Sequence, residues 1–474
     1  MKLHLHAYQR RALAFVMGQA CAGLLLDPGL GKTIIMLEAF KLLKARGMAR
    51  KMLVITPLRP MYLTWPAEVA KWDEVRDLKA GVLHGPMKSA TLNDPDVDVH
   101  VINPEGLKWL FATVENPEEY WDILCVDEST RFKHTDTDRF RFIKPHLEKF
   151  GRRYILTGSP APNGLLDLFG QIYLLDLGNT LGRFITWYRT AYFDKDFTGF
   201  KYTPKPDAEK RIYEKLAPLV LRMDARDYLD LPPLIGACGF GEPLVHPVEL
   251  PEAAMRVYKR MEEAMIVELE GEAVTAASAA AVSGKCRQIA NGGMYGAVAH
   301  DARYKPGGKY IAAGDRSSYG LHEVKLDAVE EIVEELQGTP CIVAYEFHHE
   351  LERLKKRFPD APHVGGGVTP ARFRAVEQAW NRGEVPVLLA QPQSVAHGLN
   401  LQATKAAVIW HSLTWDLEVY EQFIRRVWRQ GQKEKVIVHH IIAKDTIDEV
   451  VLKMLQKKDK TQRDLLAALK ESYL

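Results

Sequence analysis

Three groups of residues carry side chains suited to phosphate chemistry. Asp27-Pro28-Gly29-Leu30-Gly31-Lys32-Thr33 places two glycines, a lysine and a hydroxyl in one short turn. Glycines let backbone N–H groups close around phosphate oxygens, and the dipole of a following helix adds positive potential. Lys32 is then expected to reach the β- and γ-phosphates of a nucleotide, with Thr33 on Mg²⁺. The run departs from the strict GxxxxGK[ST] pattern because Leu26 fills the slot of the first glycine. Asp127-Glu128 follows Ile123-Leu124-Cys125-Val126, so an apolar strand ends in two carboxylates. That position suits Asp127 to a metal and Glu128 to orienting and deprotonating a water. The third group is Arg425, Arg426 and Arg429, within Gln422 to Gln432. If that run is helical, residues 422, 426 and 429 share one face. Arginines presented to a γ-phosphate raise turnover by roughly 10³ to 10⁵. An ion-paired surface helix is the plainer account of the arginines taken alone.

These residues need elements to hold them. Gly23 to Leu26 reads as a buried strand and Lys32 to about Ala45 as the helix after the turn. Met52–Ile55, Val97–Ile102, Ile123–Val126 and Arg153–Leu156 read as further buried strands. Apolar strands alternating with helices indicate a parallel sheet covered on both faces. Between about Leu165 and Tyr319 the strand-like runs thin out, and helix-compatible stretches such as Glu252 to Ala281 take over, punctuated by Pro and Gly. The alternation returns at Cys341–Ala344, Val385–Ala390, Ala407–Trp410 and Val436–Ile442. The expected fold is α/β, with two parallel-sheet lobes in tandem and helical insertions. Residues 1–235 form the first lobe, with its insertion from about 165. Residues 236–474 form the second, with its insertion at about 245–320.

Composition sets outer bounds. At 474 residues the chain has room for two or three compact units, and 47% apolar with 26% charged residues is ordinary for a globular protein. The five cysteines are scattered, without a CxxC or a Cys/His cluster, which argues against structural zinc or a disulfide framework. No stretch approaches the roughly 18 uninterrupted apolar residues of a membrane helix, and Met1 to Arg11 lacks the features of a signal peptide. A soluble protein of a reducing compartment is expected. The net charge of +2 says little about partners, because a phosphate-gripping stripe can be local.

The order of these motifs resembles that of the Swi/Snf-type ATPases, a branch of the superfamily-two helicase-like proteins. Tyr8-Gln9 is similar to the family's adenine-reading glutamine, and Asp27 to Thr33 to its first motif. Thr56-Pro57-Leu58 with Trp65, Glu68 and Trp72 resembles a motif that touches the DNA backbone. Asp127-Glu128-Ser129-Thr130 occupies the DEAH slot, and Leu156-Thr157-Gly158-Ser159-Pro160 with Asn163 follows LTGTP…N. Leu219 to Arg222 with Leu231-Pro232-Pro233, and then Lys285 to Asn291, resemble the entry to the second lobe. Gly398 to Gln402, Trp415 and Gln422 to Gln432 complete the set.

The resemblance implies two RecA-like lobes and DNA-stimulated ATP hydrolysis with Mg²⁺, driving movement along double-stranded or branched DNA. In that reading Gln9, Gly29, Gly31, Lys32, Thr33 and Gln422 hold ATP, and Thr33 and Asp127 hold the metal. Lys32, Glu128, Arg426 and Arg429 act in hydrolysis, while Thr56, Pro57, Asn163, Ser394 and Asn400 face DNA. A cytoplasmic motor of a bacterium or phage is implied, close to the nucleoid, with the helical insertions as a possible protein-binding surface. Thr130 departs from the family's His, and Val395-Ala396-His397 from its small or acidic residues; both bear on coupling rather than on phosphate or metal ligands. A strand-separating helicase, a nucleotide-gated scaffold without turnover, and the motor subunit of a larger complex remain open on sequence alone.

Overall fold

A computed structural model describes residues 1–196, 202–271, 276–295, 318–395, 400–402 and 405–471. The chain divides into two compact units, Met1–Asp230 with Lys458–Leu474, and Leu231–Lys457. Residues 231–235, expected to close the first lobe, belong to the second, because Leu234 and Ile235 pair with Val436 and Ile437.

The first unit is built on strands β1 (Cys21–Leu26), β2 (Met52–Ile55), β3 (Ala80–Val82), β4 (Val99–Ile102), β5 (Ile123–Asp127) and β6 (Arg152–Thr157). A small hairpin, β7 (Phe193–Lys195) with β8 (Tyr202–Pro204), and an edge strand, β9 (Val220–Met223), follow. Among the described residues the sheet has seven strands in the order β3-β4-β2-β5-β6-β1-β9, every pairing parallel. The apolar runs are buried along nearly their whole length, as strands covered on both faces must be. The segment after residue 165 holds the helices Leu168–Asp176, Ile185–Tyr192 and Ala208–Leu216 and then returns to the sheet as β9. The insertion therefore serves the lobe's own core: Leu168, Ile172, Tyr188, Ile212 and Val220 pack in the same cluster as Ile55, Val126 and Ile155.

In the second unit, β10 (Leu234–Ile235) and β11 (Leu244–Val248) both pair with one side of β18 (Val436–Ala443). The antiparallel hairpin β12 (Gly293–Tyr295) and β13 (Ser318–Gly320) stands apart from the main sheet. β14 (Cys341–Ala344), β15 (His363–Val364), β16 (Val387–Ala390) and β17 (Ala407–Trp410) complete it in the order β10-β18-β17-β14-β16-β15, again parallel. The helix-compatible stretch from Glu252 holds the helices Glu252–Gly271 and Ala276–Ala290, with residues 272–275 outside the described residues. A buried polar network fastens helices to the carboxyl end of this sheet. Lys325 pairs with Asp448 and donates to Asn291 Oδ1 at 2.7 Å. Ser412, just beyond β17, donates to Glu350 at 2.7 Å, and Glu350 also accepts the Glu346 and Phe347 amides.

One long-range pair ties the first unit's edge strand to the turn after β1. Asp27 and Arg222 are both buried and meet at 2.8 Å, and Arg222 Nη1 also donates to the Leu25 and Met223 carbonyls. The second Asp27 oxygen accepts the Ala225 amide at 3.1 Å. Removing one partner of a buried pair leaves an uncompensated charge. Arg222→Ala is therefore expected to destabilise the first unit by about 3–5 kcal/mol, read as a lower urea midpoint of its unfolding transition. A midpoint unchanged from the parent shows that the pair does not hold the turn.

Candidate active site

The turn after β1 has the geometry of a phosphate cradle. Gly29 and Gly31 take left-handed backbone angles, with φ of +91° and +82°. Gly31 is the cap of the helix Lys32–Ala45 and, having no side chain, makes no capping bond to that helix's first turn. The amides of that turn are the natural place for an anion. A Cβ on Gly31 would lie 2.5 Å from Gln9 Nε2, so any side chain there would strike the glutamine. Gln9 is itself fixed: its Oε1 accepts the His6 amide at 2.9 Å, and its Nε2 donates to the Leu30 carbonyl at 3.2 Å. Lys32 Nζ donates to the Leu26 carbonyl at 2.7 Å, folding the lysine back across the cradle.

Asp127 ends β5 with its carboxylate buried. Its Oδ2 accepts the Trp65 indole N–H at 3.1 Å and the Thr56 hydroxyl at 3.0 Å, and its Oδ1 accepts the Glu128 amide at 3.1 Å. Burial pushes the Asp127 carboxyl above the usual carboxylate range, opposed by the Trp65 bond, the Lys32 charge, the Thr56 bond and the Glu128 amide. A carboxylate offers about four lone-pair sites, and three are used here, so capacity for a metal or its water remains. Among the described residues no cluster of three or more His, Cys, Asp or Glu side chains forms a metal cage. A magnesium carried in with a phosphate needs none, because it keeps most of its waters and takes one or two protein ligands. Asp127, with a lone-pair site to spare, fits that requirement.

Glu128 lies in the left-handed region at φ +52°, which is uncommon for a residue with a Cβ. The backbone turns there from β5 into a short helical turn, Ser129–Phe132. The loop after β6 lies alongside: a Cβ on Gly158 would come within 2.8 Å of Pro28, so only glycine allows the two loops to approach this closely.

Some expected residues sit elsewhere. Thr56 has no solvent exposure and its hydroxyl is bonded to Asp127, so it serves the acid rather than a DNA backbone. Pro57 is buried next to it, at the start of the helix Leu58–Leu63. Asn163 is exposed, with its amide donating to Asp167 at 2.9 Å. In the second unit the helix Leu417–Ile424 stops short of the arginines. Arg426 and Val427 bond back by three residues rather than four, so Gln422, Arg426 and Arg429 do not share a helix face. Gln422 is buried inside the helix and donates to Glu418 at 3.0 Å, while Arg426 Nε donates to the Gln422 carbonyl at 3.1 Å. Arg429 donates to Asn400 Oδ1, and burial holds its guanidinium below the usual arginine range. Asn400 is pinned besides by Glu377 on its N–H at 2.8 Å and by Asn381 on its carbonyl at 2.7 Å. Ser394 is half-buried and bonds Gln391 at 2.9 Å; residues 396–399, which include Gly398 and Leu399, lie outside the described residues.

Arg222, Trp65, Ser129 and Gln171 are contributors that sequence spacing did not bring out as a set. Arg222 lies 197 positions from the Leu25 carbonyl it bonds, beyond any local periodicity.

The chain matches the model of the SNF2-related domain over residues 8–292 and that of the helicase conserved C-terminal domain over residues 324–431. It belongs to the SNF2-related family of helicase-like ATPases. It is 34% identical over 461 residues to "Putative protein p41" of Acyrthosiphon pisum secondary endosymbiont phage 1, covering 93% of each chain. It is 24% identical over 461 residues to the putative ATP-dependent helicase/translocase YwqA of Bacillus subtilis, covering 91% of this chain and 45% of that protein. A solved structure, the Sulfolobus solfataricus SWI2/SNF2 ATPase core in complex with dsDNA, aligns with a TM-score of 0.44 at 21% identity, over 100% of this chain and 95% of that one. The chain thus spans nearly all of the phage protein and under half of the Bacillus one. No described helix is long and apolar enough to cross a membrane.

The Asp127 environment gives a signed expectation. Hydrogen bonds to a carboxylate favour its charged form, so removing one raises the pKa. Thr56→Val keeps the shape and removes the hydroxyl. The acidic limb of ATP turnover against pH is expected to move upward by up to about one unit, with DNA affinity unchanged because the side chain is buried. An unmoved limb separates Thr56 from the acid.

Proposed function

We propose that the chain is a DNA-dependent ATPase that moves along double-stranded DNA, turning over ATP at the loops of its first unit. The observation that carries this reading is local. The phosphate cradle, a buried Asp127 under the influence of the Lys32 charge, and a Glu128 held in a strained backbone all gather at the carboxyl ends of parallel strands. In α/β sheets ligands bind at that edge. The name of the Bacillus relative, an ATP-dependent helicase/translocase, points the same way.

In this mechanism the Gly29–Thr33 amides and Lys32 hold the triphosphate, and Gln9, bonded to the Leu30 carbonyl of the cradle, reads the base. Thr33 and Asp127 hold Mg²⁺, which when bound neutralises charge on the β- and γ-oxygens. Glu128 orients the attacking water and takes its proton. Arg426, Arg429 and Gln422 are the second unit's proposed contributors to turnover, and movement along DNA accompanies each cycle. Asn163, Ser394 and Asn400 are the proposed contributors to the DNA-facing side, while the buried Pro57 is not. Contacts to phosphates carry little sequence information, so binding is expected to be salt-sensitive and largely sequence-independent.

Glu128→Gln is expected to bind ATP with affinity near that of the parent while turnover falls by about 10²- to 10⁴-fold, checked by nucleotide titration and phosphate release. Near-normal turnover removes Glu128 as the base. Phosphate release without nucleic acid and with single-stranded DNA, duplex DNA, branched DNA and RNA tests the substrate, and duplex is expected to stimulate most. Displacement of a third strand from an intact duplex, without fork unwinding, is the result expected of a duplex motor. Fork unwinding in its place selects the strand-separating reading.

A further inference from the structure

The loop after β5 and the loop after β6 are joined by one buried side chain, Gln171, on the helix Leu168–Asp176. Its Oε1 accepts the Ser129 hydroxyl at 2.8 Å. Its Nε2 donates to the Pro160 carbonyl at 2.6 Å and to the Asp167 carbonyl at 2.8 Å. Both amide hydrogens and the oxygen are thereby used, which fixes the amide's orientation: flipped, it would turn an oxygen toward two carbonyls. Gln171 is 1% exposed and Ser129 has no exposure, so no water competes for these bonds. Ser129 directly follows Glu128. Pro160 belongs to the loop that carries Asn163 and whose Gly158 abuts Pro28 of the phosphate cradle.

We propose that Gln171 is a positioning residue that transmits between the Asp127–Ser129 loop and the Thr157–Asn163 loop, so that DNA engagement at the second sets the position of Glu128 in the first. The proposal rests on the DNA-dependent ATPase reading. Physically, any shift of Ser129 must drag the Gln171 amide or break a buried hydrogen bond, and the amide in turn holds Pro160. Leaving a buried polar group unsatisfied is costly, so the two loops move together. Thr130, where relatives of the DEAH type carry a histidine, is buried beside Ser129. The neighbouring Ser129 hydroxyl makes the bond to Gln171 that joins the two loops.

The test uses the full chain and compares phosphate release with and without duplex DNA. Ser129→Ala removes the link to the acid loop and leaves Gln171 its two carbonyl bonds, whereas Gln171→Leu removes all three. Each single substitution is expected to lower the ratio of DNA-stimulated to DNA-free turnover by about fivefold or more. The loss should appear in kcat rather than in KM for ATP. The double variant is expected to be no worse than the poorer single one, because both cut the same chain of bonds. A merely structural role lowers both rates in proportion and leaves the ratio unchanged, which overturns the proposal; so does a double variant whose loss is the product of the two singles. Should Gln171→Leu fail to fold, Ser129→Ala decides alone. Absence of stimulation in the parent chain removes the underlying ATPase reading and this link with it. Stimulation that survives Ser129→Ala removes the link only.

Discussion

A carboxylate with almost no water around it sets the terms for the first unit. Moving such an ion out of water costs several kcal/mol even after the protein relaxes, and a hydrogen bond to a charged group returns about 1.5–3 kcal/mol net. Asp127 needs several donors to stay charged, and it has an indole, a hydroxyl and an amide. These come from the helix Trp65–Lys71, the end of β2 and the chain's own next residue. The order β5-β6-β1 then places the acid, the Gly158 loop and the phosphate cradle at successive strand ends on one edge. Because the strands are all parallel, their loops leave on the same side. Sheet topology and the chemistry of one carboxylate thus require each other.

The backbone at Glu128 is the counterpart of that dry carboxylate. A left-handed conformation costs a residue with a Cβ roughly 1–2 kcal/mol, and it persists only where neighbours over-determine it. Here the Glu128 amide is bound to Asp127 and the next side chain, Ser129, to Gln171. The glutamate is therefore held between two fixed points rather than presented from a mobile turn. A base that must orient a water gains from this, since reorganisation during the reaction is what a preorganised site avoids.

Much of both sheets was legible because their signals are local. The strands Met52–Ile55, Cys341–Ala344 and Ala407–Trp410 are continuous apolar runs, and the structure has them with the same bounds. The helix from Lys32 begins where the second glycine ends. What escaped is what depends on distant partners. β9 pairs as the sheet's edge strand through register with β1, and its Arg222 finds Asp27 only once the sheet has formed. Thr56 was readable as a strand-end residue, but not as a donor to an acid 71 positions away. The arginine run misled in a different manner. Its periodicity suits a helix, yet the helix ends at Ile424 and the Arg426 and Val427 amides bond back by three residues.

Lys32 and Arg429, one in each unit, each donate to a neutral oxygen. Lys32 donates to the Leu26 carbonyl and Arg429 to the Asn400 carboxamide. A bond from a cation to an anionic oxygen is roughly twice as strong as one between neutral groups, so a phosphate displaces such placeholders with energy to spare. Moving Arg429 to a phosphate would release Asn400, whose backbone stays tied to Glu377 and Asn381. The residue then keeps its position while its side chain becomes available. In the proposed engine this makes nucleotide capture and the freeing of a DNA-facing amide a single event in the second unit. In that reading Arg429 and Asn400, already joined by a hydrogen bond, act together.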